Sequence, residues 1–426
     1  MTASPRSAPH PTAPIPTAPH PAAAPIGAAL GPGLLVVLGL LAAVAPFGID
    51  LYLPAFPAIA RELDTSATGV QLTLTGFLVG IMLGQLVFGP LSDRIGRRLP
   101  LLIGSVVLIL ASAAAVLAPN LGVLVAARVL QGLAGAAGMV LGRAIISDLA
   151  TGAVAARAMS LMMIVSGVAP VVAPLIGGAL AAPLGWRGVL AVLFAIALVM
   201  LGAVVWGVRE TLPADRRAQL SASRRAQGSP MRRLASRQYL GHTIAFAAAF
   251  TVMMAYISAS PFLYQSMLGA NELQYGLLFG ANALALVATS AVSARLVTRF
   301  GPRTLARIGL GGVAAGSLVM LGAALLAASP WVLAAAVFVV VASLGFVMGN
   351  VTALALSAVP GAAGTASALL GALQFGCAAV ASPFVSIGGE RTALPLAIIM
   401  VAASAIALVA FACGRVRPAA AASTNA

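Results

Sequence analysis

Asp50 and Arg128 are ionisable residues that lie inside long apolar runs of the sequence, away from the ends of those runs. A charge in such a run needs a partner, water or a proton, because burial in hydrocarbon costs it several kcal/mol. A carboxylate there can take up and release a proton as its surroundings change, and a nearby guanidinium favours its ionised form. These residue types therefore indicate proton-binding chemistry, with a static ion pair as the open alternative.

The positions of these residues along their runs predict that they share a depth. Asp50 lies about seven residues before the end of the first run, and Arg128 about seven residues after the start of the fourth. At a helical rise of 1.5 Å per residue, both lie roughly 10 Å from the same end of the molecule. Gln131, three residues after Arg128, faces nearly the same way.

The composition requires a bilayer around these runs. The chain of 426 residues is 61% hydrophobic and 8% charged, with a mean hydropathy of +1.06, which is too apolar for a water-soluble globule. A bilayer crossing takes about 20 apolar residues, and twelve such runs are present, with their longest separation after the sixth. They span residues 33–57, 70–91, 99–118, 121–146, 158–182, 187–208, 239–266, 273–297, 304–327, 330–356, 363–388 and 392–413.

This pattern predicts an all-α membrane protein with twelve transmembrane helices in two six-helix bundles. The predicted parts are a disordered Pro/Ala-rich tail (1–30), a first bundle (31–208), a basic linker (209–238), a second bundle (239–414) and a C-terminal tail (415–426). Cys377 and Cys413 both fall inside apolar runs, so they are predicted to be packing residues and not metal ligands or a disulfide.

The chain has a formal charge of +15, which is compatible with binding to a nucleic acid or to a membrane surface. The positions of the arginines distinguish the two. Short cytoplasmic loops are enriched in positive charge. On the side that holds both termini there are 19 arginines, against three on the other side. We therefore predict cytoplasmic termini, an inner-membrane location and no nucleic-acid partner. The 19 are Arg6, Arg94, Arg97, Arg98, Arg157, Arg209, Arg216, Arg217, Arg224, Arg225, Arg232, Arg233, Arg237, Arg295, Arg299, Arg303, Arg307, Arg415 and Arg417, and the three are Arg61, Arg187 and Arg391.

The turn between the second and third runs carries a motif, Gly89-x-x-x-Asp93-Arg94-x-Gly96-Arg97-Arg98. It resembles the signature loop of the major facilitator superfamily, and a second copy in the other half keeps Arg299, Gly301 and Arg303. The resemblance implies two pseudo-symmetric bundles with the substrate path between them.

The resemblance extends to both ionisable residues. Arg128-Val-Leu-Gln131-Gly132 resembles the fourth-helix motif of proton-coupled members, whose arginine is implicated in proton transfer. The segment from Asp50 to Pro57 resembles the end of the first helix in the Bcr/CflA drug-resistance branch. This similarity implies that Asp50 is the proton-binding carboxylate.

The fifth run contains Gly167, Pro170, Pro174, Gly177 and Gly178 at spacings that resemble the antiporter motif, with Ala173 where the family more often has glycine. The motif implies export, because symporters of the superfamily generally lack it. Small residues also let helices approach and prolines bend them, so a kinked packing helix is the open alternative.

For the signature loop, the resemblance implies a conformational latch. It places Asp93 beside the start of the eleventh helix, residues 361–367, with Arg97, Asp148 and Arg143 as partners that can pull on it. For the cargo cavity, the helices that border it in this fold carry polar, aromatic and methionine side chains, each with ordinary packing as its alternative. The cavity candidates are Tyr52, Gln131, Met139, Met253, Met254, Tyr256, Asn350, Gln374 and Phe375.

The sequence thus predicts a proton-coupled exporter of small amphipathic drug-like molecules that acts as a monomer without cofactor or metal. One alternative keeps the fold and exports a single metabolite, sugar or amino acid. Another is a membrane sensor or scaffold that does not transport. An ATP-driven pump is disfavoured because the chain has no lysine for a phosphate-binding loop, and an enzyme is disfavoured because no catalytic constellation accompanies His242.

Overall fold

The computed structural model describes residues 30–219, 234–359 and 363–414. The rest of the predicted tails and the middle of the predicted linker lie outside the described residues. The helices of the first half are α1 (Pro32–Asp50), α2 (Phe56–Glu62), α3 (Ala67–Ile95), α4 (Arg98–Val116), α5 (Leu121–Leu149) and α6 (Gly152–Gly207). Those of the second half are α7 (Arg237–Pro261), α8 (Glu272–Leu325), α9 (Pro330–Leu344), α10 (Met348–Ser357), α11 (Ala363–Ala381) and α12 (Leu394–Cys413).

Two of these helices are double length. Of the ten described helices that are long and apolar enough to cross a membrane, one has 51 residues and another 54. A straight helix of 50 residues spans about 75 Å, more than twice the hydrocarbon thickness of about 30 Å. Gly185 breaks α6 with φ 65° and Gly301 breaks α8 with φ 73°, a region that glycine adopts without strain. Each double helix therefore makes two crossings, and the prediction of twelve is confirmed.

The internal repeat has a counterpart in backbone geometry. Gly96 ends α3 with φ 100°, and Gly301, its aligned partner in the second half, has φ 73° at the corresponding turn. Both glycines reverse the chain between the second and third crossings of their half. The shared glycine of the two motif copies is thus required by a left-handed turn.

Helix starts follow the local sequence. Ser66, Asn120 and Ser236 each accept a hydrogen bond from a backbone N–H of the first turn of α3, α5 and α7. Asn271 and Gln274 form a reciprocal capping box at the start of α8. At the other end of a helix, Asp50 is the last residue of α1, because Pro54 cannot continue the helical hydrogen-bond ladder and the chain passes through a 3₁₀ turn at Leu53–Ala55.

The two halves meet along α3 with α11 and along α6 with α8. Four side-chain hydrogen bonds in the described residues cross between the halves. Thr68 and Gln71 at the start of α3 bind Ser386 and the Ser258 carbonyl, and Gln265 binds the Pro54 carbonyl. All four lie at the end of the molecule opposite the Gly96 turn. We call this the arginine-poor end, and the end with the Gly96 turn the arginine-rich end.

Candidate functional site

Asp50 is almost completely buried, with 2% of its surface exposed. Its Oδ1 atom has no hydrogen-bond partner. Within the described residues no arginine forms an ion pair with it. The carboxyl group at the end of α1 is therefore enclosed without a compensating charge.

Arg128 on α5 is fully buried between two aromatic rings. Its guanidinium carbon lies 4.2 Å from the ring centroids of both Tyr52 and Phe77. One terminal nitrogen donates to the Gly48 carbonyl of α1, the other donates to Gln131 Oε1 at 2.9 Å, and Nε has no partner. The rings and acceptors fix the plane and direction of the cation.

Arg128 contacts α1 at Gly48, two residues from Asp50, so the predicted common depth agrees with the geometry. The static ion pair does not, because no salt bridge joins the two residues in the described chain. The structure brings a buried carboxyl and a buried guanidinium to one level of the bundle without pairing them.

A chain of buried polar groups holds this arrangement. Gln131 Nε2 donates to Ser112 at 2.9 Å, so both ends of the Gln131 amide are in use. Thr73 donates its only hydroxyl proton to the Val70 carbonyl, so the Tyr52 hydroxyl must be the donor in the 3.0 Å bond between the two. Gln131 and Tyr52, predicted to line the cavity, are thus engaged in positioning Arg128 and α1.

The other cavity candidates divide into packed and accessible side chains. Asn350 donates to Ser293 and to the Phe346 carbonyl, both at 2.8 Å, and Phe375 packs against Phe250 with ring centroids 5.1 Å apart. Met254 and Tyr256 are also buried. Met139, Met253 and Gln374 keep part of their surface exposed.

The sequence analysis missed a cluster of buried hydroxyl groups in the second half. The Asn282 amide donates to both Tyr256 and Tyr264, at 2.8 and 2.7 Å, and the Tyr275 hydroxyl bonds to Ser260 at 2.9 Å. The available signal was that three of the five tyrosines fall between residues 256 and 275.

At the arginine-rich end, the predicted latch residues of the first half come together. Arg97 lies 2.7 Å from Asp93 and 2.8 Å from Asp148, and it also donates to Ser92. Burial lowers the Arg97 pKa, but the hydrogen bonds and charges of the two carboxylates outweigh burial and raise it overall. Within the described residues Arg143 forms no ion pair with this cluster, and its Nε donates to the Met139 carbonyl at 3.1 Å.

The remaining latch residues occupy the same turn. Arg98 donates to the Val205 carbonyl, and the Arg94 carbonyl accepts from Arg217. A side chain at Gly89 would meet open space. The predicted contact of Asp93 with residues 361–367 involves residues 361 and 362, which lie outside the described chain, so the latch between the two halves stays a prediction.

Glu210, which the sequence analysis did not single out, closes the signature turn. Its carboxylate accepts from the backbone N–H groups of Arg97, Arg98 and Leu212 at 2.8, 3.1 and 2.9 Å. Two of these are free donors at the start of α4, where an anion is favoured. Any side chain at Gly96 would collide with this carboxylate. Burial raises the Glu210 pKa, but the backbone hydrogen bonds outweigh burial, so the net pKa is lowered.

We predict that Glu210→Gln lowers the free energy of unfolding of the purified protein at pH 7 by about 1 kcal/mol, the typical effect of losing a helix cap. Because the folded pKa lies below the unfolded value of about 4.3, the wild-type advantage is complete above about pH 5 and is lost as the pH falls through the lowered pKa. Thermal unfolding of both proteins from pH 7 to pH 3.5 measures it. Asp215→Asn, an exposed acid nearby, is the control, and equal stability of Glu210→Gln and wild type at pH 7 would contradict the capping role.

The antiporter-like motif of α6 is packed on two sides. A Cβ at Gly177 would overlap the Leu51 carbonyl of the first half, and one at Gly178 would overlap the Glu272 carbonyl of α8. Conversely, a Cβ at Gly276 would lie 2.7 Å from the Pro174 carbonyl. Pro170 and Pro174 lie inside α6, and Gly167 faces open space. The motif lets α6 approach the segment after Asp50 and the opposite half at the same level.

A family profile described as Major Facilitator Superfamily matches residues 38–383. The chain belongs to the Major Facilitator Superfamily. It is therefore a multi-pass membrane transporter of small molecules and not an enzyme, as the sequence predicts.

Relatives of known name refine this assignment. The chain is 37% identical to the MFS-type transporter YdgK of Bacillus subtilis over 88% of this chain and 93% of that protein. It is 31% identical to a bicyclomycin resistance protein homolog of Haemophilus influenzae over 88% and 94%. The predicted resemblance to the Bcr/CflA branch is thus confirmed.

A solved structure supports the architecture. A D-xylose-proton symporter superposes with a TM-score of 0.70 at 16% identity, covering 88% of this chain and 96% of that one. At this identity the likeness concerns the fold alone, which confirms the predicted pair of six-helix bundles.

Proposed function

We propose that this transporter exports small amphipathic drug-like compounds in exchange for protons by alternating access. The observation that carries the proposal is the buried carboxyl group of Asp50, whose Oδ1 has no hydrogen-bond partner. It lies two residues after Gly48, where Arg128 donates a hydrogen bond to α1. An ionised carboxylate without a partner is strongly disfavoured in a buried site, so this arrangement suits the protonated form of Asp50.

Coupling follows if cargo or water changes that balance. When the halves separate, cargo or water can reach the carboxyl group. Such contacts stabilise the ionised form of Asp50, so the proton is released. Closure around the empty site then requires a proton again. Asp50 is an α1 residue close to the α6 motif, at the Leu51–Gly177 contact, so its solvation depends on how the two halves are packed.

Two further observations support drug export in particular. The α6 helix has Gly167, Pro170, Pro174, Gly177 and Gly178 at spacings that resemble the antiporter motif, despite Ala173, and Gly177 and Gly178 are tightly packed. The bicyclomycin resistance protein homolog, which shares 31% identity over most of the chain, is named for resistance to a drug. We propose an inner-membrane location with cytoplasmic termini from the arginine distribution, and a monomer that works without a further subunit.

The proposed domain boundaries follow from the same topology. The first bundle covers residues 31–208 and the second 239–414, with 209–238 as the basic linker at the arginine-rich end. In this scheme the arginine-rich end is cytoplasmic, and Asp93 with Arg97 and Asp148 forms one side of the latch that closes it.

Proton release tests the proposal. Adding amphipathic antibiotics to the purified full chain in weakly buffered detergent should release up to about one proton per bound molecule, and Asp50→Asn should release none. Release with only one metabolite of a panel would favour the dedicated exporter. Binding without release by any compound would reject proton coupling at Asp50 and favour a protein that does not transport.

A further inference from the structure

A groove of about 690 Å³ opens on the outer surface of the second half, between α7 and α12. Its walls are apolar and exposed, with Leu240 and Ile244 on α7 and Ile406 and Val409 on α12. Because this surface faces the bilayer in a twelve-helix transporter, a lipid molecule is the available occupant.

Close backbone packing creates the floor of the groove. A Cβ at Gly241 would lie 2.7 Å from Gly414 and 2.8 Å from the Ala410 carbonyl, so α7 and α12 touch there without side chains between them. From Arg237 to Ile244 the groove extends about 10 Å along α7 at 1.5 Å per residue. It is thus a slot whose length suits the upper part of an acyl chain.

The mouth of the slot is positively charged. The α7 helix begins at Arg237 and α12 ends at Cys413, so both groove residues lie at the arginine-rich end, where a lipid headgroup would be. Arg237 is exposed and has no ion pair within the described residues. Arg303 brings a second cation to the same end by donating to the Gly414 carbonyl at 3.2 Å.

No acid balances this charge in the neighbouring sequence. Residues 216–271 and 391–426, which contain both walls of the groove, include no Asp or Glu, and four more arginines lie just before α7 or just after α12 in the sequence. These are Arg232, Arg233, Arg415 and Arg417. A zwitterionic lipid would bring its own ammonium group towards Arg237 and Arg303, whereas an anionic headgroup would contact these cations without repulsion.

We propose that the groove between α7 and α12 binds an anionic phospholipid, with one acyl chain along Leu240 and Ile244 and the phosphate at Arg237. Arg237 extends to the headgroup level while its aliphatic stem covers the apolar wall. The site is separate from the Asp50 region and does not depend on the proposed function.

Cys413 reports occupancy of this site. It lines the groove and is exposed, contrary to its predicted role as a packing residue. With Cys377→Ser as background, the rate of maleimide labelling of Cys413 in detergent can be followed as dioleoyl phosphatidylglycerol or dioleoyl phosphatidylcholine is added. A bound chain shields the thiol and slows labelling.

We expect phosphatidylglycerol to reach half-maximal protection at a concentration about fivefold lower than phosphatidylcholine, the effect of about 1 kcal/mol for one interfacial cation. Arg237→Gln should remove the difference, and Arg299→Gln, an exposed arginine outside the groove lining, should keep it. Equal protection by both lipids in the wild type would overturn the proposal. So would an undiminished difference in Arg237→Gln, since the phosphate would then not lie at Arg237.

Discussion

Asp50→Asn is expected to reduce pH-gradient-driven drug transport in proteoliposomes by about 100-fold, the lower range for loss of a positioned proton-transfer group. Asparagine has the shape of a protonated aspartic acid but cannot release a proton, so it holds the site permanently in the neutral form. Because Asp50 is buried and Oδ1 has no hydrogen bond to lose, the substitution should leave the fold intact.

The same variant separates coupling from movement. Exchange of labelled for unlabelled drug across the membrane without a pH gradient needs the halves to alternate but needs no net proton transfer. We expect Asp50→Asn to retain that exchange within about threefold of the wild type. Loss of exchange together with gradient-driven transport would mean that the carboxyl group is required for the movement itself.

Asp64→Asn is the matched control. Asp64 is an exposed acid with φ 47°, a conformation that asparagine tolerates well, at the same end of the molecule. It should transport like the wild type. If Asp50→Asn also shows wild-type gradient-driven transport, Asp50 is not the coupling carboxylate.

The sequence predicted the parts of this protein that depend on long apolar runs and on local turn chemistry. Twelve crossings and the reversal at Gly96 and Gly301 follow from run length and from the backbone freedom of glycine. The depths of Asp50 and Arg128 could also be predicted, because a helix converts residue number into distance with little error.

The partners of these residues could not be predicted in the same way. Arg128 lies between Tyr52 and Phe77, residues of different segments whose rings reach the guanidinium only after these segments pack against α5. Glu210 reaches the signature turn from 113 positions away, and no local pattern marks it as a cap. Side-chain direction across helix interfaces depends on packing of the whole bundle, which a single sequence does not encode locally.

Arg128→Lys is expected to lower transport at least about 10-fold, although the charge is conserved. The guanidinium uses two separate nitrogens to reach Gly48 and Gln131 while its flat faces lie against two rings. An ammonium group has no flat face and cannot span both acceptors. One buried acceptor would lose its partner, at about 1–3 kcal/mol, and α1 would lose its fixed position beside Asp50.

Arg128→Leu distinguishes a structural from a functional requirement for this cation. Leucine removes the buried charge, is shorter than arginine and leaves the acceptors at Gly48 and Gln131 without their donor. We expect Arg128→Leu to fold with a stability lowered by about 1–3 kcal/mol for each acceptor left without a donor, and to release no proton when drug is added, because the ionised form of Asp50 then has no cation at its level. Arg157→Lys, at an exposed arginine, should change neither property. Drug-dependent proton release by Arg128→Leu would assign Arg128 to packing and leave Asp50 to titrate with water alone.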